Sequence, residues 1–134
     1  VIHATRRANL AAGQSVLVFG CGTIGLLVCA VAQSIGASRI VAVDINKSRL
    51  DFAKANGFAS QTHCVSATPQ DKSKTTDDQL RRAKETAHSV LAEFKAPEGF
   101  DVVFECSGAE PVIQMSVHVS SPFTLLSYRH FSAY

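Results

Sequence analysis

Val18-Phe-Gly-Cys-Gly-Thr-Ile-Gly25, VFGCGTIG, is the stretch on which the reading of this chain turns. It is either a phosphate-cradling turn between a strand and a helix, or an apolar segment whose glycines serve only turning and packing. Gly20, Gly22 and Gly25 spell GxGxxG, a weak pattern alone that gains specificity from its surroundings. Upstream, Ser15–Phe19 (SVLVF) is a short β-branched run that predicts a buried strand. Downstream, Thr23–Ile35 (TIGLLVCAVAQSI) is apolar nearly all round and predicts a buried helix stopped by Gly36. A second strand, Arg39–Ile45 (RIVAVDI), follows and carries an acid, Asp44, 19 residues past Gly25 (44 − 25).

Each position then has a physical task. Gly20 permits the tight turn out of the strand. Gly22, with no Cβ, lets a pyrophosphate approach the backbone, and Gly25 lets the helix pack closely on the sheet. Free N–H groups at the helix start, with the helix dipole, hold the anion. Asp44, at the carboxyl end of its strand, accepts hydrogen bonds from a ribose diol. The competing reading leaves the glycines to packing and makes Asp44 the cap of the next helix. A 2′-phosphate near Asp44 would meet like charge, about 4 kcal/mol at roughly 4 Å and an effective dielectric near 20, before screening. Lys47 and Arg49 offset part of this, and the expected cofactor is NAD rather than NADP.

Beyond this core the pattern continues to alternate. Val1 to Ala8 has helix-like spacing and closes in a turn at Ala12-Gly13. Asn46–Asn56 is a helix stopped by Gly57, and Ser60–Val65 is a short third strand. Ser66–Asp78 is polar and reads as an exposed loop. Gln79–Lys95 places Leu80, Ala83, Ala87, Val90, Leu91 and Phe94 on one helical face. Asp101–Cys106 (DVVFEC) is a strand, and Glu110–Val119 a helix with Pro111 in its first turn. FTLLSY, Phe123–Tyr128, has strand character, whereas Arg129–Tyr134 has no clear period. Strands alternating with helices predict an α/β fold: right-handed βαβ units on a doubly wound parallel sheet. Ligands of such sheets lie where strand order reverses. That places the Cys106-Ser107-Gly108 turn at the crevice, on the adenosine side, unless it is a plain strand-to-helix connection. Glu105 has no partner identifiable from sequence and reads as structural.

The 134 residues suit one domain, residues 1–134, large enough for an ordinary core. An apolar fraction of 46%, a charged fraction of 18% and a formal charge of +2 fit a soluble globular chain and give no nucleic-acid footprint. Gln14–Ser38 carries no charge, yet its glycines, glutamines and serines argue against a membrane span. Cys21, Cys29, Cys64 and Cys106 show no CxxC or zinc-site spacing and read as reduced, mostly buried thiols of an intracellular protein. The amino terminus, VIHATRRANL, reads as the start of a piece cut from a longer protein rather than a targeting peptide.

Three blocks together, RRANL..GQSVLVFGCGTIGLL, GAS.IVAVDIN..RL.FAK..G and DVVFECSGAEP.IQ, resemble the cofactor domain of the zinc-containing medium-chain dehydrogenase/reductase family. The polyol dehydrogenases, of sorbitol and xylitol, are the branch most resembled. The likeness spans about residues 1–120 and is weakest over 66–98. It implies a Rossmann-type sheet and a longer cytoplasmic enzyme that oxidises a secondary alcohol of a polyol to a ketone, passing hydride to NAD, and that forms homo-oligomers through sheet edges. It also implies roles: Asp44 on the adenosine ribose, Arg49 against it, Thr23 and Ile24 over the pyrophosphate. The family's catalytic zinc, Gly-His-Glu motif and cysteine-rich lobe have no counterpart in these residues, and the five histidines are dispersed. The isolated chain is therefore expected to lack turnover. Residues 121–134, SPFTLLSYRHFSAY, replace the family's Pro-Gly-Gly turn, last strand and nicotinamide-facing loop, so the sheet is expected to be incomplete at that edge, as a truncated or frame-changed gene would leave it. Two other readings stay open: a non-catalytic nucleotide-binding or interaction module, and a methyltransferase, against which Gly25 counts.

Overall fold

Short β-branched runs and helical repeats along the chain become alternating strands and helices. The structure, a computed structural model, describes residues 1–66 and 76–128, with the backbone alone along 122–128. In chain order the elements are α1 (Ile2–Arg7), β1 (Ser15–Phe19), α2 (Thr23–Ile35), β2 (Arg39–Asp44), α3 (Lys47–Ala55), β3 (Gln61–Cys64), α4 (Thr76–Glu93), β4 (Phe100–Glu105), α5 (Glu110–Val119) and β5 (Ser120–Tyr128). All strand pairs are parallel, in the order β3-β2-β1-β4-β5. This is the doubly wound Rossmann arrangement, whose strand order reverses between β1 and β4.

The three inner strands are buried on both faces, which is why they read as continuous apolar runs rather than alternating ones. Val16 and Val18 pack with Ile40, Ala42, Val102 and Phe104 under α2 and α3, through Val28, Cys29, Ala32, Leu50 and Ala53. Leu17 and Phe19 face the other way, with Val41, Val43 and Val103, onto α4 and α5 through Ala83, Ala87, Val90, Met115 and Val119. Asn46 caps α3, its side chain accepting from the Ser48 and Arg49 N–H groups at 3.0 and 3.3 Å.

The structure departs from the sequence expectations in two places, both in α4. Thr76–Asp78 is not loop but the first turn of α4, where Asp77 and Asp78 complement the helix dipole; residues 67–75 of the expected loop lie outside the described residues. Leu80, expected on the packed face of α4, is 42% exposed: it shares the helical face of Ala83 and Ala87 but lies one turn before Ala83, the first buried residue of the helix. The carboxyl-terminal edge holds the fifth strand that FTLLSY could form and, among the described residues, no sixth. Residues 120–128 form a strand paired with β4, with Val102 opposite Leu125 and Glu105 opposite Tyr128. Five positions of a 3-2-1-4-5-6 sheet are thus filled among the described residues. Residues 129–134 lie outside them.

Three hydrogen bonds between Ser15 and Asp101 tie β1 to β4 at the start of the inner strands. Asp101 Oδ2 accepts from both the backbone N–H and the hydroxyl of Ser15, each at 2.7 Å, and the Asp101 N–H donates back to Ser15 Oγ at 3.1 Å. These bonds hold the Asp101 carboxyl below the usual carboxylate range. A carboxyl with a lowered folded-state value adds stability above its unfolded value, and loses it as pH falls through the folded one. Melting temperature is accordingly expected to drop less between pH 6 and pH 3 in Asp101→Asn than in the parent chain, as followed by circular dichroism. Parallel acid limbs would remove this role.

Candidate functional site

Three turns leave the carboxyl ends of β1, β2 and β4 side by side, and the candidate residues sit on them. The β1–α2 turn has the tightest geometry. Gly20 has a φ of +88°, and its backbone N–H donates to Val43 O at 2.8 Å. A Cβ on Gly20 would lie 2.8 Å from the Ser107 nitrogen and 3.0 Å from the Cys106 carbonyl carbon, so the absent side chain lets the β4–α5 turn close against it. A Cβ on Gly25 would lie 1.8 Å from the Gly20 carbonyl oxygen and 3.5 Å from a Val18 methyl. The close packing expected of Gly25 is therefore chiefly against the turn itself, with the sheet second. Gly22 differs from both: it is the N-cap of α2, has φ −71°, and a Cβ there would meet nothing within 4 Å.

The first turn of α2 is arranged for an anion. Gly22 offers no side chain to cap it, and the first turn contains no acid. The leading N–H groups of a helix lack intrahelical partners, and here they open, with exposed Thr23 and half-buried Ile24, beside the unfilled space at Gly22.

Asp44 closes the second side. It is 8% exposed at the end of β2. Its Oδ2 accepts from the Cys21 N–H at 2.5 Å and its Oδ1 from the Asn46 N–H at 2.8 Å. The acid expected to face a ribose is thus also the tie that holds the glycine turn to β2. Each carboxylate oxygen accepts more than one bond, so room remains for a diol. The Arg49 guanidinium stands 3.9 Å from Oδ2 and is about half exposed. Lys47 is drawn away to Asp51, at 2.8 Å, which leaves Arg49 as the cation nearest Asp44. Ile45, the next residue after the acid, is 64% exposed and presents an apolar surface at the rim. It was not singled out from sequence; an apolar residue directly after a strand-ending acid was the signal.

On the third side, Cys106, Ser107 and Gly108 form the β4–α5 turn. The Cys106 N–H donates to Phe19 O at 2.8 Å, which lays the turn along β1. The Cys106 side chain packs toward the α2–α3 core rather than the crevice, whereas Ser107 and Gly108 are exposed at the edge. Cys21 and Cys29 are fully buried thiols, each pushed up to about 12 first by burial. Asp44 adds to the effect at Cys21, and the Cys21 thiol does so at Cys29. Neither is poised as a nucleophile. Of the four thiols expected to be mostly buried, Cys21 and Cys29 are buried, Cys106 is half-buried and Cys64 is exposed at the end of β3.

Of the ten candidate residues, Gly20, Gly22, Thr23, Ile24, Gly25, Asp44, Arg49, Ser107 and Gly108 gather at one crevice, and Cys106 contributes its backbone. Among the described residues no three His, Cys, Asp or Glu side chains come together as a metal site, so the donor set does not fit a catalytic zinc. No helix among them is long and apolar enough to cross a membrane. A shallow depression lined by His88, Leu91, Ala92, Lys95 and Pro97 lies near the opposite end of the sheet and carries no comparable chemistry.

Comparison with known proteins agrees with this geometry. Residues 23–124 match the family described as zinc-binding dehydrogenase. Probable D-xylulose reductase A of Emericella nidulans is 42% identical over 121 residues, covering 90% of this chain and 30% of that protein. The chain thus spans about a third of the length of the curated relatives it matches. Among solved structures, alcohol dehydrogenase TADH from Thermus sp. ATN1 superposes with a TM-score of 0.67 at 28% identity, over 93% of this chain and 31% of that one. A candidate zinc-binding dehydrogenase from Sinorhizobium meliloti 1021, solved bound to NADP, has a TM-score of 0.69 at 23% identity, over 93% and 32%, and supports the fold alone.

The two inner glycines are expected to separate packing from access. Gly25→Ala places a methyl against a carbonyl oxygen and should lower unfolding free energy by roughly 2 kcal/mol or more. Gly22→Ala points into open space and should cost no more than the preference of Gly over Ala at an N-cap, about 1 kcal/mol. Urea denaturation of the two variants checks this, and equal losses would contradict the assigned geometry.

Proposed function

We propose a function from one premise: the chain belongs to the zinc-binding dehydrogenase family. In this reading it is the nicotinamide-dinucleotide-binding part of an oxidoreductase that converts a secondary alcohol of a polyol to a ketone. The observation that carries it is the capless, acid-free start of α2 facing open space at Gly22, with Asp44 directly beside it. The N–H groups of Thr23, Ile24 and Gly25 would hold the pyrophosphate. Asp44 accepts from the adenosine ribose hydroxyls, Arg49 lies against that ribose, and Ile45 offers the adenine an apolar face. Ser107 and Gly108 line the crevice from the β4 side. The cofactor, when bound, supplies the hydride acceptor.

This chain's own residues bind and orient the dinucleotide. In the same reading, alcohol activation and substrate choice belong to another part of the protein, and the 134-residue chain alone is expected to lack turnover. A polyol substrate follows from the likeness to proteins called D-xylulose reductase. A cytoplasmic location and homo-oligomers complete the reading, with no nucleic-acid partner.

Asp44 sets the preference for NAD over NADP, since a 2′-phosphate would face its charge with Arg49 as partial compensation. Screening at this rim reduces the bare repulsion, which leaves at least about a tenfold difference, or 1.4 kcal/mol. In a fluorescence titration, NADH is expected to bind at least about tenfold tighter than NADPH. Asp44→Asn, which keeps an acceptor for the Cys21 N–H, should narrow that gap. Asp44→Ala, which also frees the turn, should weaken both cofactors. Equal affinity of the parent chain for the two would overturn the assignment of Asp44.

A further inference from the structure

Glu105 has no part in the reading above, yet it is more deeply buried than Asp44, at 1% exposure against 8%. A carboxyl at that depth is costly unless its oxygens are occupied. Among the described residues no Lys, Arg or His forms an ion pair with it. Every partner recorded for its carboxyl lies within the next three residues. Oε1 accepts from the Ser107 N–H at 2.7 Å, from the Ser107 hydroxyl, and from the Gly108 N–H at 3.0 Å, and Oε2 shares the Gly108 N–H at 3.2 Å. The Ser107 hydroxyl in turn accepts from the Ala109 N–H at 3.2 Å, at the N-cap of α5. The turn is therefore wrapped around a buried carboxyl on one side and pressed against Gly20 on the other, where a Cβ would already overlap the Ser107 nitrogen.

Asp44 and Glu105 are related by the sheet. Each ends a neighbour of β1: Phe19 lies opposite Val43, the residue before Asp44, and opposite Glu105 itself. One acid ties the glycine turn to β2 and the other ties the β4 turn down beside it. Asp44 reaches the rim, whereas Glu105 is sealed beneath it and can act only through the backbone it holds.

We propose that Glu105 is a positioning residue of the dinucleotide site, folding Cys106–Gly108 so that the Ser107–Gly108 backbone forms a preset wall of the crevice above Gly20. The role rests on the dinucleotide reading given above. Without the carboxyl, the turn's two N–H groups and one hydroxyl lose their acceptor. The wall then has to be ordered by the ligand at the moment of binding, which weakens affinity.

The test is an NADH titration of the 134-residue chain and its Glu105→Gln, Glu105→Ala and Gly108→Ala variants. It is run at a temperature where circular dichroism shows each to be folded. Glu105→Gln keeps an acceptor oxygen in place and should bind within about threefold of the parent. Glu105→Ala should bind about tenfold more weakly. A merely structural role would lower its melting temperature while leaving affinity intact, because apparent affinity scales with the competent fraction and that fraction stays near one. Gly108→Ala addresses the same wall without touching the core: its φ is +70° with open space around it, so the methyl strains only the turn. It should weaken NADH several-fold, and decides the matter if Glu105→Ala does not fold. Parental affinity in folded Glu105→Ala, or in Gly108→Ala, overturns this role alone. Failure of the parent chain to bind NADH overturns the dinucleotide reading and this role with it.

Discussion

The contact between the missing Gly25 side chain and the Gly20 carbonyl oxygen governs the site. A helix can start this close to the strand before it only if the residue facing the turn has no Cβ, since one would sit 1.8 Å from that oxygen. That approach sets α2 directly over the end of β1 and points its unpaired N–H groups into the crevice at the β1–β4 reversal. Moving α2 outward would also displace Val28, Cys29 and Ala32 from the core they share with Val16 and Val18. Packing thus constrains Gly20 and Gly25, and Gly22, where a Cβ would meet nothing, is the one of the three that packing leaves open.

Two buried acids then fix the flanks. Asp44 holds the glycine turn through the Cys21 N–H, and Glu105 holds the neighbouring turn through Ser107 and Gly108. Both satisfy backbone donors that the strand ends would otherwise leave unpaired. The crevice therefore has two walls whose shape does not depend on a ligand, which lowers the ordering cost of binding. Only Asp44 also reaches the rim, with Arg49 beside it and Ile45 exposed next to it.

Much of this was legible in the sequence because it is written in local terms. Strand β1, the glycine spacing, helix α2 and the acid ending β2 follow from short-range pattern, and their combination carried the family resemblance that the comparisons bear out. What escaped is non-local or lies in the backbone. Strand β5 depends on pairing with β4 across the whole of α5, so FTLLSY could be read as a strand while its partner and its start at Ser120 could not. The first turn of α4 looked like loop because its polar residues, Thr76 to Asp78, are helix-start chemistry. Glu105 resembled one more acid in an apolar run. Its partners are the Ser107 and Gly108 N–H groups and the Ser107 hydroxyl two residues on, and only the folded turn brings that serine back onto the acid.

The most direct measurement is a two-dimensional amide NMR spectrum of the isotope-labelled chain with and without NADH. The account predicts that the amides of Gly20 to Gly25, Asp44 to Asn46 and Cys106 to Gly108 shift on binding, while those around His88, Leu91 and Lys95 at the far end of the sheet stay in place. Saturable binding that moves the far-end amides and leaves the glycine turn unperturbed would contradict it.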